Sequence, residues 1–394
     1  MKGLRGFVRS AKEAWEVPRD LLLQRYPPFV TGGPLVRGDV PVFVLHSAER
    51  RALERQLLHL SENGYHTLSS EEYLAVLLGA RVAPDRAVVL TFDDGRGSLW
   101  GVAQPLLSRF GMRATVFLVP GRMRSRPGPN SPTWVDVDAG RADLSELLGR
   151  EEGEGALLSW EEVAQLAKTG LFDFQSHTLT HGRIHVGPEL VGFATPRTRR
   201  GYDAFDQPLI RQDEEDLLGE DVSLGTPLFR SAPRTSEALR FFEDPAIRRS
   251  CVNTAARGGE AFFGRPDWAA TLRGGLAGRR VQGRVETPDE RTRAIRHELV
   301  ESKRLIEEHT GRPVSSVCYP WHSFGSTASS LAREAGYRAS FCGKVEGVPL
   351  TRPGGDLQRI ARLGEDYIEL LPGKGRAALT SVLRRKWARR FGSA

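Results

Sequence analysis

The chain has 394 residues, with 56 Lys+Arg against 49 Asp+Glu and a formal net charge of +7. The whole excess lies in residues 371–394, which carry seven basic residues and no acidic one, leaving 49 of each sign elsewhere. A charge confined to a tail excludes the basic patch of a nucleic-acid-binding domain, three scattered cysteines exclude a disulfide framework, and the lack of a long apolar run excludes a spanning helix.

Read in chain order, residues 1–40 form an irregular arm broken by Pro27-Pro28 and Gly32-Gly33-Pro34. Lys2 and Arg5 are followed by Glu13, Glu16 and Asp20 rather than an apolar segment, so no signal peptide is expected and a cytoplasmic location is the default. A short apolar run at 42–45 predicts a buried strand. Leu53, Leu57 and Leu60 predict a helix over 49–63 that Gly64 ends. A helix from Ser70 to Leu78, a strand at 87–92, a helix near 98–110 and a strand at 114–119 come next. Residues 121–156 read as an excursion rich in Gly, Pro and charge. Ser159 and Glu162 make a capping box for a helix that Gly170 closes, and 172–176 is the fourth strand. Thr287-Pro288-Asp289-Glu290 starts a helix reaching about His309. Strands are expected at 315–319, 338–342 and 358–362, with a helix at 327–335.

Seven short apolar strands with helices between them predict an α/β fold, a distorted seven-stranded (β/α) barrel over 41–365. A large insertion, 182–287, lies between strands four and five. Chemistry in such barrels collects at the C-terminal strand ends.

Asp93-Asp94-Gly95 follows the second strand. Adjacent carboxylates repel unless a cation or proton compensates, although an Asp-Asp-Gly turn is the plain alternative. His177 and His181 follow the fourth strand, four apart, a spacing that lets two imidazoles converge on one metal. His185 makes a second pair with His181, so the spacing alone is weakly specific. One carboxylate plus two imidazoles suits a catalytic divalent site, Zn first, with Co, Mn, Ni or Fe also suited. Tyr319-Pro320-Trp321-His322 follows the fifth strand, where backbone N–H groups could line an oxyanion site or the aromatics could plug the barrel mouth. His46 stands at the same rim after the first strand.

These stretches, in this order, resemble the NodB-type polysaccharide deacetylases, carbohydrate esterase family four. The resemblance covers about residues 40–181 and 295–365 and implies hydrolysis of N-acetyl groups on amino sugars of a polysaccharide or glycoconjugate. It implies that Asp94, His177 and His181 bind the metal, that Asp93 is the general base, and that the Tyr319 backbone N–H stabilises the oxyanion. Pro320, Trp321 and His46 would then face substrate. Two departures stand out. The stretch before Tyr319-Pro320 lacks the arginine that pairs with the base in many family members. No histidine follows His322, so the general acid is left to His322 or His46. The alternatives are a related hydrolase of another acyl group or a non-sugar amide, and an inactive glycan-binding barrel.

The insertion, with its 225–230 Gly-Thr-Pro-Leu-Phe-Arg run, Trp268 and many arginines, reads as a packing subdomain or a substrate lid. Cys318 and Cys342 read as packing neighbours. In the tail, Leu379, Val382, Leu383, Trp387 and Phe391 recur at helical spacing among arginines, predicting a basic amphipathic helix over 376–391. Such a helix either docks on the barrel or makes a peripheral membrane contact at the inner face.

Overall fold

The computed structural model describes residues 18–23, 25–125, 131–150, 156–276 and 281–391. The residues on which the signal-peptide expectation rests lie almost wholly outside these. Seven parallel strands build the scaffold: β1 (Val42–Leu45), β2 (Ala87–Phe92), β3 (Ala114–Leu118), β4 (Phe172–Ser176), β5 (Ser316–Cys318), β6 (Ala339–Phe341) and β7 (Leu363–Gly364). They pair in the order β6-β5-β4-β3-β2-β1-β7. A parallel bridge between Phe341 and Ile360 then joins β6 to the segment entering β7, so the curled sheet approaches closure.

The two faces of the sheet follow from strand periodicity. Val42, Val89, Phe117, Cys318, Phe341 and Ile360 point inward and pack together. Their neighbours Phe43, Leu90, Val116, Leu118 and Val317 point outward into the larger core beneath the helices. β2 and β3 are buried at every position, as parallel strands covered on both faces must be. The covering helices are α1 (Arg50–Glu62), α2 (Ser70–Leu77), α3 (Gln104–Phe110), α4 (Trp160–Lys168), α5 (Pro288–Thr310) and α6 (Ser326–Glu334). Three of them start where a capping box dictates, at Ser69/Glu72, Ser159/Glu162 and Thr287/Glu290.

Some expectations need correction. The last strand is not 358–362: Ile360 makes one bridge, and the ladder to β1 forms at Leu363–Gly364. Residues 358–362 carry Gln358, Arg359 and Arg362, and their side chains serve other ends than a regular strand. The helix near 98–110 opens with a π turn at Leu99–Ala103 before α3. Within the irregular arm, Tyr26, Phe29 and Val30 are buried against the barrel.

The insertion has its own small core of Phe193, Ile247, Cys251, Ala255, Phe262, Leu272 and Leu276. Its longest pairing is the antiparallel match of Arg183–Phe193 with Pro227–Pro233. Trp268 packs against Phe193 and Phe263 inside that subdomain, so it offers no sugar-stacking platform at the barrel mouth. The helix of the tail, α7 (Leu379–Phe391), starts three residues later than its spacing suggested. Val382 is fully buried, Arg385 pairs with Glu369, and Lys386 lies 3.5 Å from Asp366. Val382 thus docks the helix on the barrel while Trp387 stays 52% exposed, and nothing here supports the alternative of a membrane contact. No helix among the described residues is long and apolar enough to cross a membrane.

Candidate active site

The strand alternation that buries Val89 and Thr91 inside the barrel carries Asp93 to its mouth. The chain then turns sharply. Asp94 has φ 71° and Gly95 φ 74°, and a Cβ on Gly95 would lie 2.7 Å from Leu118 Cδ2, so only glycine fits. The turn sends the two carboxylates in different directions.

Asp93 meets Arg362. The guanidinium donates to both carboxylate oxygens, at 2.7 and 2.8 Å. Its remaining donors reach the Cys342 carbonyl at 2.8 Å, Thr91 Oγ1 at 3.0 Å and Cys318 Sγ at 2.9 Å. Both partners are almost fully buried. Burial alone would raise the Asp93 pKa, but the Arg362 charge, the nearby His177 and the direct hydrogen bonds overcome it and hold the carboxyl well below its usual range. The arginine absent from the Tyr319 stretch is therefore supplied by the approach to β7. Sequence reasoning missed it. The available signal was a charged residue at the end of a predicted buried strand, where an arginine needs an anionic partner.

Asp94 faces the histidines. His177 Nε2 lies 3.6 Å and His181 Nε2 3.7 Å from Asp94 Oδ1. One ligand atom from each residue falls within 4.8 Å of the others. His177 Nδ1 bonds the Cys318 carbonyl at 2.7 Å, which places its proton there and turns the Nε2 lone pair toward Asp94. Burial first, then the neighbouring His177 and Arg122, lower the His181 pKa well below the usual imidazole value. Its Nδ1 is buried without a hydrogen-bond partner. Two imidazoles and a carboxylate fit a divalent cation in donor type and number. A second cluster, Asp93, His177 and Cys318, also lies within reach of one point. There the Arg362 cation already occupies the acceptors, so the Asp94 set suits an ion better.

The loop from His177 to His181 is held from three sides. Glu298 of α5 accepts from Thr180 N at 2.9 Å and Thr180 Oγ1 at 2.5 Å. Arg122 Nε donates to the Thr180 carbonyl at 2.7 Å, and Gly121 N to the Leu179 carbonyl at 2.8 Å. Thr178 and His181 take left-handed φ values of 64° and 54°, and Trp321 and His322 values of 51° and 55°. Backbone strain of this kind persists where surrounding contacts over-determine it. His185, the other half of the second histidine pair, turns away. Its Nε2 accepts from Phe229 N at 3.2 Å and its Nδ1 lies 3.8 Å from Glu243.

After β5, Tyr319 is fully buried, its ring stacked on Phe324 and its hydroxyl donating to the Ala328 carbonyl at 3.3 Å. The side chain is thereby committed to packing. Trp321 lies 4.2 Å from the His181 ring, with Arg183 of the insertion over its face at 4.9 Å. His322 packs against Gly343 so closely that a Cβ there would meet its Cδ2 at 2.5 Å. The His322 residue is exposed by area, yet protein surrounds it on most sides. That dehydration, with the Arg362 charge, lowers its pKa to about 4. His46 is exposed at the same rim, within electrostatic reach of Asp93 and His322.

The model of the polysaccharide deacetylase family matches residues 80–200, the stretch that contains both aspartates and both histidines. Residues 80–200, rather than the chain as a whole, are thus similar to that family. Over 134 residues it is 32% identical to the poly-beta-1,6-N-acetyl-D-glucosamine N-deacetylase of Escherichia coli K12, a match covering 34% of this chain and 18% of that protein. The chain thus spans only a small part of that relative. The deacetylase domain of BpsB from Bordetella bronchiseptica has the same fold, with a TM-score of 0.50 at 17% identity over 83% of this chain and 96% of that one. So has a de-N-acetylase from Aggregatibacter actinomycetemcomitans, with a TM-score of 0.50 at 15% identity over 88% of this chain and 98% of that one. These structures support the NodB-like (β/α) barrel fold.

Proposed function

We propose that the protein is a divalent-metal-dependent hydrolase that removes N-acetyl groups from amino sugars of a polysaccharide or glycoconjugate. The observation that carries this is the division of labour between adjacent carboxylates: Asp94 faces the two imidazoles of His177 and His181, and Asp93 is held ionised by Arg362. A pure glycan-binding barrel has use for neither arrangement.

Asp94, His177 and His181 would hold the ion, which when bound supplies Lewis acidity toward water and an amide carbonyl. Asp93 accepts the proton of the attacking water, and Arg362 aligns its carboxylate and keeps it ionised. The Tyr319 backbone N–H is the proposed oxyanion donor, since its side chain is engaged elsewhere. Pro320, Trp321 and His46 would border the sugar. The departing amine needs a proton, and His322 is the first proposed donor, with His46 second. At its lowered pKa His322 is neutral at pH 7, so it must gain its proton during turnover.

The test is acetate release from N-acetylglucosamine oligomers by protein stripped of metal and reloaded with Zn, Co, Mn, Ni or Fe, with metal content measured in parallel. Asp93→Asn should retain about one equivalent of metal and lose at least about a hundredfold in turnover. Stoichiometric metal with no acyl release from any such oligomer would sink the hydrolase reading.

A further inference from the structure

A second set of side chains converges beside the site. A cleft of about 750 Å³ opens at the barrel mouth. One wall is Arg96 and Leu157, whose segments bridge each other just after β2. Another is Arg122 and Arg124, which follow β3. The third comes from the insertion and presents Arg199 and Arg200 together with Glu220 and Asp221. Among the described residues the lining therefore holds five arginines against two carboxylates.

These arginines are not equivalent. Arg122 is occupied: it donates to the Thr180 carbonyl at 2.7 Å and the Phe205 carbonyl at 3.1 Å, and it reaches Glu220 at 3.3 Å. Arg199 Nε donates to the Glu220 carbonyl at 3.0 Å. Arg124 and Arg200 are exposed, and no carboxylate among the described residues lies within ion-pair distance of either. Phe205 joins the cleft to the site. Its ring lies under the Arg122 guanidinium at 4.6 Å and against the His181 ring at 4.5 Å. A molecule filling the cleft thus rests on the wall that backs His181. Guanidinium forks in a concave, partly dehydrated surface match the planar oxygens of carboxylate or phosphate.

We propose that this cleft binds an acidic group, a carboxylate or a phosphate, carried on the glycan next to the unit whose amide is cleaved. The proposal rests on the hydrolase reading for what bears the acid, and its binding test stands apart from turnover. Calorimetric titration uses three probes: a glucuronate–N-acetylglucosamine disaccharide, N-acetylglucosamine 6-phosphate and neutral diacetylchitobiose. Wild-type protein should bind at least one acidic probe about tenfold tighter than the neutral one, the worth of a single charge-assisted contact, with the preference fading as salt rises. The acidic probe that wins identifies the group. R124E/R200E should abolish the preference and R124K/R200K should keep part of it, with melting curves confirming that both fold. Equal binding of all probes by wild type, or an unchanged preference in R124E/R200E, overturns the proposal. Acid-selective binding with no acetate released from any probe supports the cleft and removes the hydrolase reading. Acetate release with no acid preference in binding does the reverse.

Discussion

At the residue scale, Arg362 carries the most consequence. A buried ion pair is weak evidence for net stability, but removing one partner strands the other as an uncompensated buried charge, at a cost of about 3–5 kcal/mol. Arg362→Met should therefore lower thermal stability by that order and release the constraint on Asp93. Arg362→Lys should fall between, because an ammonium replaces one of the two parallel hydrogen bonds. Paired denaturant melts and turnover measurements check both; wild-type stability in Arg362→Met would contradict the pairing. Cysteine chemistry makes a second residue-scale prediction. Cys251, Cys318 and Cys342 are all buried, and burial pushes the Cys342 thiol up to about 11. At pH 8 the thiolate is then the minor form, so a disulfide reagent should label fewer than one thiol per native chain and three after denaturation. Labelling of native protein should quicken only as pH rises toward 11.

At the element scale, the loop after β4 depends on a helix far from it in sequence. Glu298 sits 118 residues beyond Thr180 and accepts two of its hydrogen bonds. It touches neither imidazole, so it acts by positioning. Glu298→Ala should weaken metal affinity about 10–100-fold, the usual effect of losing outer support for a ligand. A competitive chelator titration reads this directly, and Glu298→Gln should recover part of the loss. The tail helix is the other element with a testable role. Val382 is its buried anchor, and Arg376 ties the segment before it to the carbonyls of Phe29, Gly32 and Gly33. Val382→Ala should cost about 2 kcal/mol by cavity formation. Deleting residues 379–394 should leave liposome binding unchanged and lower the melting temperature.

At the scale of the whole molecule, the barrel and the insertion are joined by contacts that reach the site from above. Arg183 covers Trp321, Phe205 backs His181, and Thr235 exchanges hydrogen bonds with Ser323 and Gly325. Glu237 caps α6 through Thr327 N at 2.9 Å. The insertion is pinned by a fully buried pair, Arg234 with Glu286, bonded through two contacts of 2.9 Å, while Glu286 also takes Arg240 N at 3.0 Å. Glu286→Ala should therefore loosen the insertion as a unit. Native-state hydrogen exchange should show faster exchange across 183–193 and 227–233 than in β2 and β3; uniform protection would argue that the insertion does not depend on this pair.

The sequence alone was enough for the elements whose signals are local. Apolar runs marked the barrel strands at 42–45, 87–92 and 114–118, and capping boxes marked the starts of three helices. Asp93-Asp94-Gly95 and His177-x-x-x-His181 marked where two strand ends bring chemistry, because their residue types are costly anywhere without a partner. The partner itself could not be read. Arg362 lies 269 residues from Asp93 and meets it only because the sheet curls until the approach to β7 lies beside β1 and β2. The same holds for the rim. His181 and His185 are alike in spacing, and the bend after β4 decides that one faces Asp94 while the other meets Phe229. The +7 charge is the last case. Its place in the tail was legible from composition, but only the packed structure decides that Arg376, Arg385 and Lys386 spend it on carbonyls and carboxylates of the chain's own body, where buried apolar area on one face outweighs exposure of the helix.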